Sequence, residues 1–157
     1  MLKKYLIAFF ISMVPLIELR GGVPYAVLMG LPYFPSLILC AIANMLPVPI
    51  IYFFARKVLQ WGTDKPYSGK FFTFCIEKGE RGGQKLCKTA GRGGLFIALM
   101  LFVGIPLPGT GAWTGTLAAS FLNMGIKSTT LAVSLGVILA GIIMGIVSMT
   151  GVHVFGL

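Results

Sequence analysis

Three long stretches of this chain carry no Asp, Glu, Lys or Arg: residues 21–55, 93–126 and 128–157. A helix needs about 20 apolar residues to cross the hydrocarbon core of a bilayer. Residues 34–55 and 128–150 each supply such a run, so two clean spans are expected there. Composition agrees. Of 157 residues, 57% are hydrophobic and only 11% charged, with a mean hydropathy of +0.92. A soluble domain carries about 25% charged residues, and a disordered tail needs low hydrophobicity and high charge. Both classes are excluded, which leaves an integral membrane protein.

The net charge of +9 comes from 13 basic and 4 acidic residues. Nine of the basic residues lie between Arg56 and Arg92, a segment of net charge +6 after Asp64, Glu77 and Glu80. Such a block orients a membrane protein with that loop in the cytoplasm, against anionic headgroups. Residues 56–92 are therefore expected to be a basic interfacial loop. Its aromatic run, Phe71-Phe72-Thr73-Phe74, reads as an amphipathic helix with snorkelling lysines. Phosphate cradling is not signalled, because no GxxxxGK[ST] is present, and no nucleic-acid partner is expected. The cysteines Cys40, Cys75 and Cys87 lack CxxC or Cys/His spacing, so no metal site or other cofactor is expected. The single histidine, His153, sits in the apolar tail.

The remaining apolar segments are broken. Residues 5–17 run for 13 positions before Glu18, and residues 94–103 meet Gly104-Ile-Pro-Leu-Pro-Gly-Thr-Gly. Lys3-Lys4 ahead of an apolar stretch has the layout of a signal peptide, but no small-x-small cleavage site follows. The stretch is expected to be retained. An offset of 89 places Gly22 on Gly111 and Leu28 on Leu117, giving each half the order broken hairpin, then full span. The expected first repeat is 1–55 (broken hairpin 5–32, transmembrane helix 34–55). The second is 93–157 (broken hairpin 94–122, transmembrane helix 128–150).

The expected fold class is thus an all-α membrane protein of two inverted repeats, each a re-entrant helical hairpin plus a transmembrane helix. Matched breaks of this kind point to a transporter's binding site, because open backbone survives at membrane depth only inside protein or against a wet cavity. Topology has two readings. If the hairpins are re-entrant, both termini face away from the basic loop, and the short pre-break runs favour this. If each broken segment crosses, both termini are cytoplasmic, and Lys3-Lys4 favours that.

Glu18 and Arg20 are the charges set beside the first break, placed by the sequence at Gly21-Gly22 and Pro24. Ionisable groups at membrane depth persist when paired, wet or functional. Glu18 reads as a proton or ion coupling site. Arg20 reads as an anion site, since its planar fork makes paired hydrogen bonds to phosphate. The bland alternative is an interfacial pair that caps a short helix. In the second break, Pro106 and Pro108 stop a helix, while Gly109 and Gly111 permit tight turns. Thr110, Trp113 and Thr114 offer polar groups to a substrate, and the half-helix after Gly111 offers free N–H groups. The alternative is a surface turn with Trp113 in the aromatic belt. Asn44, mid-span near Pro47 and Pro49, is either interhelical glue or a cavity group. Small residues at Gly136, Ala140, Gly141 and Gly145 suit close helix contact, within the chain or in a homo-oligomer. No nucleophile–base or paired-carboxylate arrangement is available, so an enzyme is not expected.

At Glu18-Leu-Arg-Gly-Gly-Val-Pro and Pro106-Leu-Pro-Gly-Thr-Gly-Ala-Trp-Thr-Gly, the chain resembles the putative small multi-drug export protein family of bacteria and archaea, over nearly its whole length. More distantly it is similar to the DedA/VTT superfamily. That resemblance implies two inverted re-entrant hairpins in a prokaryotic cytoplasmic membrane. It also implies polyprenyl-phosphate or phospholipid translocation, often proton-coupled. The acid of the first DedA hairpin would correspond to Glu18, and the Pro-Gly of the second to Pro108 and Gly109. Where that pattern has an Arg after Pro-Gly, this chain has Thr110 and Gly111. The expected function is a multi-pass transporter for an amphipathic or lipid-linked substrate, with lipids and a proton or small ion as partners. The alternative is an uncoupled lipid scramblase or membrane-structural protein.

Overall fold

The computed structural model describes residues 2–15, 17–63, 73, 88, 91, 93–107 and 110–155. Every element among them is helical. The helices are α1 (Leu2–Met13), α2 (Glu18–Leu28), α3 (Tyr33–Met45), α4 (Pro47–Thr63), α5 (Gly93–Gly104), α6 (Ala112–Phe121) and α7 (Ile126–Phe155). Most of the basic loop, including Cys75 and Cys87, lies outside the described residues, as do Pro108 and Gly109.

Proline and glycine set the boundaries. Helix α1 stops at Met13, two residues before Pro15, whose ring cannot follow a helical residue without clash. Helix α3 reaches Met45, turns at Leu46, and restarts as α4 with Pro47 in the first helical position, where a missing N–H costs nothing. The span expected at 34–55 is therefore one bent rod, apolar from Tyr33 to Ala55. Helix α7 has 30 residues and reads about 45 Å at 1.5 Å per residue. Its apolar part, Ile126–Gly151, contains the second expected span.

Helix α1 folds back on α2. Lys4 Nζ donates to the Met29 carbonyl at 3.0 Å. Further along, a Cβ on Gly22 would collide with Ser12 Oγ and come within 3.1 Å of the Ala8 carbonyl. Contacts in that order make an antiparallel hairpin with both open ends together. At 12 and 11 residues its arms are roughly 18 and 17 Å long. Neither arm reaches across a core about 30 Å thick.

The two halves repeat the same local chemistry. Helix α2 ends in a Schellman turn: Leu31 N–H reaches the Ala26 carbonyl and Gly30 N–H the Val27 carbonyl, both at 3.0 Å. Helix α6 ends identically, with Met124 N–H on Ala119 at 3.0 Å and Asn123 N–H on Ser120 at 3.3 Å. Gly30 (φ 71°) and Asn123 (φ 55°) hold the left-handed positions. The two turns lie 93 positions apart, from Gly30 to Asn123. The same spacing relates Gly22 to Gly115, whereas the overlay at 89 set Gly22 on Gly111. Gly22 and Gly115 both let their half-helix press onto the preceding arm. Gly22 rests on α1, and Gly115 rests on α5 at Val103 and Leu99.

The expected break at Gly21-Gly22 is also corrected. Both glycines lie inside α2, as does Pro24. The chain breaks instead between Met13 and Glu18, around Pro15. The sequence suggested glycine because two adjacent glycines weaken a helix. Here close packing against α1 keeps them helical.

Along the bent rod, Phe34, Ile38, Ile42, Leu46, Ile50 and Phe54 are exposed, and along α7 so are Leu131, Leu135, Ile138, Ile142 and Ile146. Steps of three and four put each residue beside the one before it on the helix surface. A water-soluble chain does not leave such continuous apolar stripes bare. They face hydrocarbon. The small residues of α7 are used internally. Tyr33 lies against Gly145 and donates to the Gly141 carbonyl at 3.1 Å, Leu37 covers Gly141, and Gly136 lies against Val103.

Candidate functional site

Helix α5 ends near the middle of an apolar fold, and so does the start of α6. An α-helix leaves its last four carbonyls and first four N–H groups without internal partners. Without water these groups must be satisfied by protein, because each open one costs several kcal/mol, roughly 2–7 on transfer scales. Both sets of open groups are met by the same short piece of α2.

Arg20 takes the carbonyl side. Its guanidinium donates to the carbonyls of Val103 (3.5 Å), Ile105 (3.2 Å) and Leu107, and to Thr110 Oγ1 at 2.7 Å. The Thr110 hydroxyl in turn faces the Ile105 and Leu107 carbonyls at 3.0 and 2.9 Å. The second break between Gly104 and Gly111 is thereby tied around one cation. That cation meets the negative end of the α5 dipole, the favourable sign.

Glu18 takes the N–H side. Its carboxylate accepts from Ala112 N–H and Trp113 N–H, each at 3.0 Å, one bond per oxygen. Only 4% of the residue is exposed. The anion sits on the N-terminus of α6, where the helix dipole is positive. Gly111 (φ 146°, ψ −173°) provides the close approach. A Cβ there would fall 2.7 Å from Glu18 Cδ. Glu18 itself has a left-handed backbone (φ 52°), uncommon for a residue with a Cβ. Each hydrogen bond to a charged group contributes about 1.5–3 kcal/mol.

Of the residues singled out in the sequence, the structure brings Glu18 and Arg20 together with Thr110, Gly111 and Trp113. The sequence did not name Val103, Ile105 or Ala112, which act through backbone atoms. The readable signal was that Pro106 and Pro108 end a helix inside an apolar run, which demands a nearby donor. Gly21, Gly22 and Pro24 are placed elsewhere. Gly21 packs on Ile17 and Ile11, and Gly22 on α1 and Cys40. Cys40 is fully buried with its Sγ 4.0 Å from the Ala8 carbonyl. Thr114 Oγ1 returns to the Gly111 carbonyl at 3.4 Å. Asn44 is 2% exposed, and its Oδ1 has no described partner. The Trp113 Nε1 donor is also buried without one. Among the described residues no group of three His, Cys, Asp or Glu side chains could hold a metal.

The arrangement is a clasp between halves: one helix start in the first half holds both open ends of the break in the second. Comparison with known proteins agrees with the motifs. No curated protein and no solved structure matches the chain. One family model does, described as "putative small multi-drug export protein", over residues 18–143. That span begins at the clasp carboxylate and takes in the second break, the first candidate span and most of the second, so this membrane protein belongs to the small multi-drug export protein family.

Proposed function

We propose that the protein exports amphipathic or lipid-linked compounds through rearrangement of this clasp, coupled to proton binding at Glu18. The carrying observation is that the Glu18 carboxylate is buried against the start of α6, in the other half of the chain. A proton there removes the charge that holds the two halves together. It weakens both bonds to the level of neutral ones, about half as strong. The hairpin tips are then free to part, which is the change a carrier needs at mid-depth.

In this reading both hairpins are re-entrant, since the arms of the first are too short to cross and its ends lie together. Each half crosses the membrane once, so the halves are inverted. The basic loop is cytoplasmic and both ends of the chain are on the other side. The distant DedA/VTT likeness extends the substrate class to polyprenyl phosphates and phospholipids. Between the bent rod and α7 a groove of about 420 Å³, lined by Ala41, Met45, Pro49, Val137 and Ile138, offers apolar room for a substrate chain.

One observation favours a second reading. Both Glu18 oxygens are already satisfied by backbone, as a purely architectural cap would be. The protein would then be an uncoupled scramblase or a structural element. Proteoliposomes separate the two. Movement of a fluorescent amphipath or short-chain lipid is followed with and without a pH gradient, for wild type and Glu18→Gln. Coupled export predicts gradient-driven movement that Glu18→Gln abolishes. Movement indifferent to both establishes the uncoupled reading.

A further inference from the structure

The rod that carries the first span is built differently from α7. Pro47 and Pro49 have no N–H, so the carbonyls of Ala43 and Met45, four residues back, lose their helical donors. Two rungs are missing from one turn. The elements follow: α3 stops at Met45 and α4 starts at Pro47. Asn44 lies in the same turn, 2% exposed, with an Oδ1 that has no partner among the described residues. Helix α7 is the internal contrast. It runs unbroken from Ile126 to Phe155 without a proline. A spacing of 93 sets Ala140 and Ile142 of α7 where the rod has its two prolines. Helices bend sharply at proline because the hydrogen-bond ladder is interrupted there.

The packing divides at the same place. Helix α3 lies against α1 and α2, and its Cys40 meets both, at the Ala8 carbonyl and at Gly22. Helix α4 has its main packing against α6, beyond whose end Tyr52 donates to the Met124 carbonyl. Helix α5 joins α6 at Gly115. Helices α1, α2 and α3 thus form one block, and α4, α5 and α6 another. The clasp and the bend join the blocks, and α7 runs beside both. Its later part receives Leu19, Tyr33 and Leu37 of the first block at Gly141 and Gly145, and its earlier part receives Val103 of the second at Gly136.

We propose that Leu46–Pro49 is the hinge of the protein, and that the bodies it joins are these two blocks rather than the two sequence repeats. The clasp is the latch on that hinge. Glu18 and Arg20 belong to the first block and hold the ends of α5 and α6 in the second. Helix α4 comes from the first repeat but travels with the second block. Helix α7 is the rail, stiff for want of proline and smooth where its glycines take the side chains of the first block, as small sliding motions between packed helices require. A change of about 20° at a proline bend moves the far end of α3, 13 residues or roughly 20 Å away, by about 7 Å. The groove assigned to the substrate chain has walls on α3, at the bend and on α7, so the swing changes its width. That consequence rests on the export reading, whereas the hinge itself does not.

The test is a double electron–electron resonance measurement on the full chain in lipid nanodiscs. Cys75→Ser and Cys87→Ser give the background, and Cys40 is fully buried. One label pair spans the blocks, Leu28→Cys with Ile97→Cys. The other lies inside the first block, Leu28→Cys with Ile42→Cys. All three positions are exposed. Opening the clasp with Glu18→Ala should shift or split the Leu28–Ile97 distance by several ångströms and leave Leu28–Ile42 as it was. Adding Pro47→Ala and Pro49→Ala restores both rungs and should cancel the movement. Equal movement of both pairs, movement of neither, or movement that survives the proline replacements overturns the hinge. Amide exchange in the unaltered chain needs no variant that could misfold. Amides within residues 44–50 should exchange at least about tenfold faster than those within 137–143 of α7, and equal rates also overturn the hinge. Proteoliposomes keep the two readings apart. Blocks that swing while amphipath movement ignores a pH gradient leave the hinge and remove coupled export, and coupled export with a rigid rod does the reverse.

Discussion

Gly111→Ala tests the clasp with a single methyl group. Two costs can be separated. The first is backbone strain: φ 146°, ψ −173° lies in a region essentially reserved for glycine, and holding another residue there costs about 1–3 kcal/mol. The second is displacement. The new Cβ would sit 2.7 Å from both Cδ and Oε1 of Glu18, and closer still to Oε2. The carboxylate can retreat only by giving up at least one of its bonds to α6, for about 1.5–3 kcal/mol. The total expected is roughly 3–6 kcal/mol, most of the stability of a marginal fold. Two other glycines calibrate it. Gly30→Ala carries a left-handed φ of 71° but meets nothing within 4 Å, so it reads strain alone, at about 1–2 kcal/mol. Gly125→Ala meets nothing within 4 Å and has no positive φ, so it should stay within about 0.5 kcal/mol. The assay is SDS-driven unfolding of the full chain in bicelles, followed by circular dichroism. A cycle with Glu18→Ala isolates the clash, and the double variant should cost at least ~1 kcal/mol less than the sum of the singles. Strict additivity, or a Gly111→Ala cost no larger than that of Gly30→Ala, would refute the claim that Glu18 is seated against Gly111.

Arg20→Lys keeps the charge but loses the planar fork. An ammonium cannot serve four acceptors spread from Val103 to Thr110. A loss of about 1–3 kcal/mol is expected, with faster amide exchange at residues 105–111, and unchanged exchange there would contradict the arrangement. Gly145→Leu displaces the Tyr33 ring and should cost ~1–3 kcal/mol by overpacking. Its oligomeric state by light scattering should stay as in wild type, and a change would mean that the α7 glycines serve an interface between copies. For topology, Lys3→Cys should react with an impermeant thiol reagent from the side opposite Ser68→Cys. Gly125→Cys should react from the same side as Ser68→Cys. The reverse pattern would replace the re-entrant hairpins with crossing segments.

The coarse layout was readable because bilayer thickness and backbone satisfaction are strong constraints. Charge-free runs gave both spans, and the Gly/Pro cluster from Gly104 to Gly111 gave the second break. The position of the first break was misread because Gly21-Gly22 looks weaker as a helix than Val14-Pro15 does. Tertiary packing reversed that order. Ala8, Ser12 and Cys40 close on Gly22 and leave no room for a side chain, so the glycines serve contact rather than a turn. The clasp was half legible. Charges that survive at membrane depth announce themselves. Their partners are backbone N–H and C=O groups, which every residue possesses and no sequence pattern marks. What could have been inferred is the demand: a helix ended by proline inside hydrocarbon has carbonyls to satisfy, and Arg20 is the nearby cation.

At the offset of 93, Glu18 corresponds to Gly111 and Arg20 to Trp113. The counterparts Glu18 and Gly111 touch, and both have positive φ. If the halves are an inverted pair, residues that meet their own counterparts lie on its local two-fold, where there is room for one side chain. Two carboxylates there would repel, and one would be driven to hold a proton. Glycine on one side is therefore a condition for glutamate on the other. This makes the direction of the clasp a matter of which half carries the acid, and it can be exchanged. Glu18→Gly with Gly111→Glu would place the acid in the second half, aimed at the start of α2. If the halves are equivalent by inversion, the exchanged pair recovers at least half of the stability lost by the worse single variant. An exchanged protein no more stable than that single would show that the two helix starts are not interchangeable, and the inverted-repeat reading would fall with it.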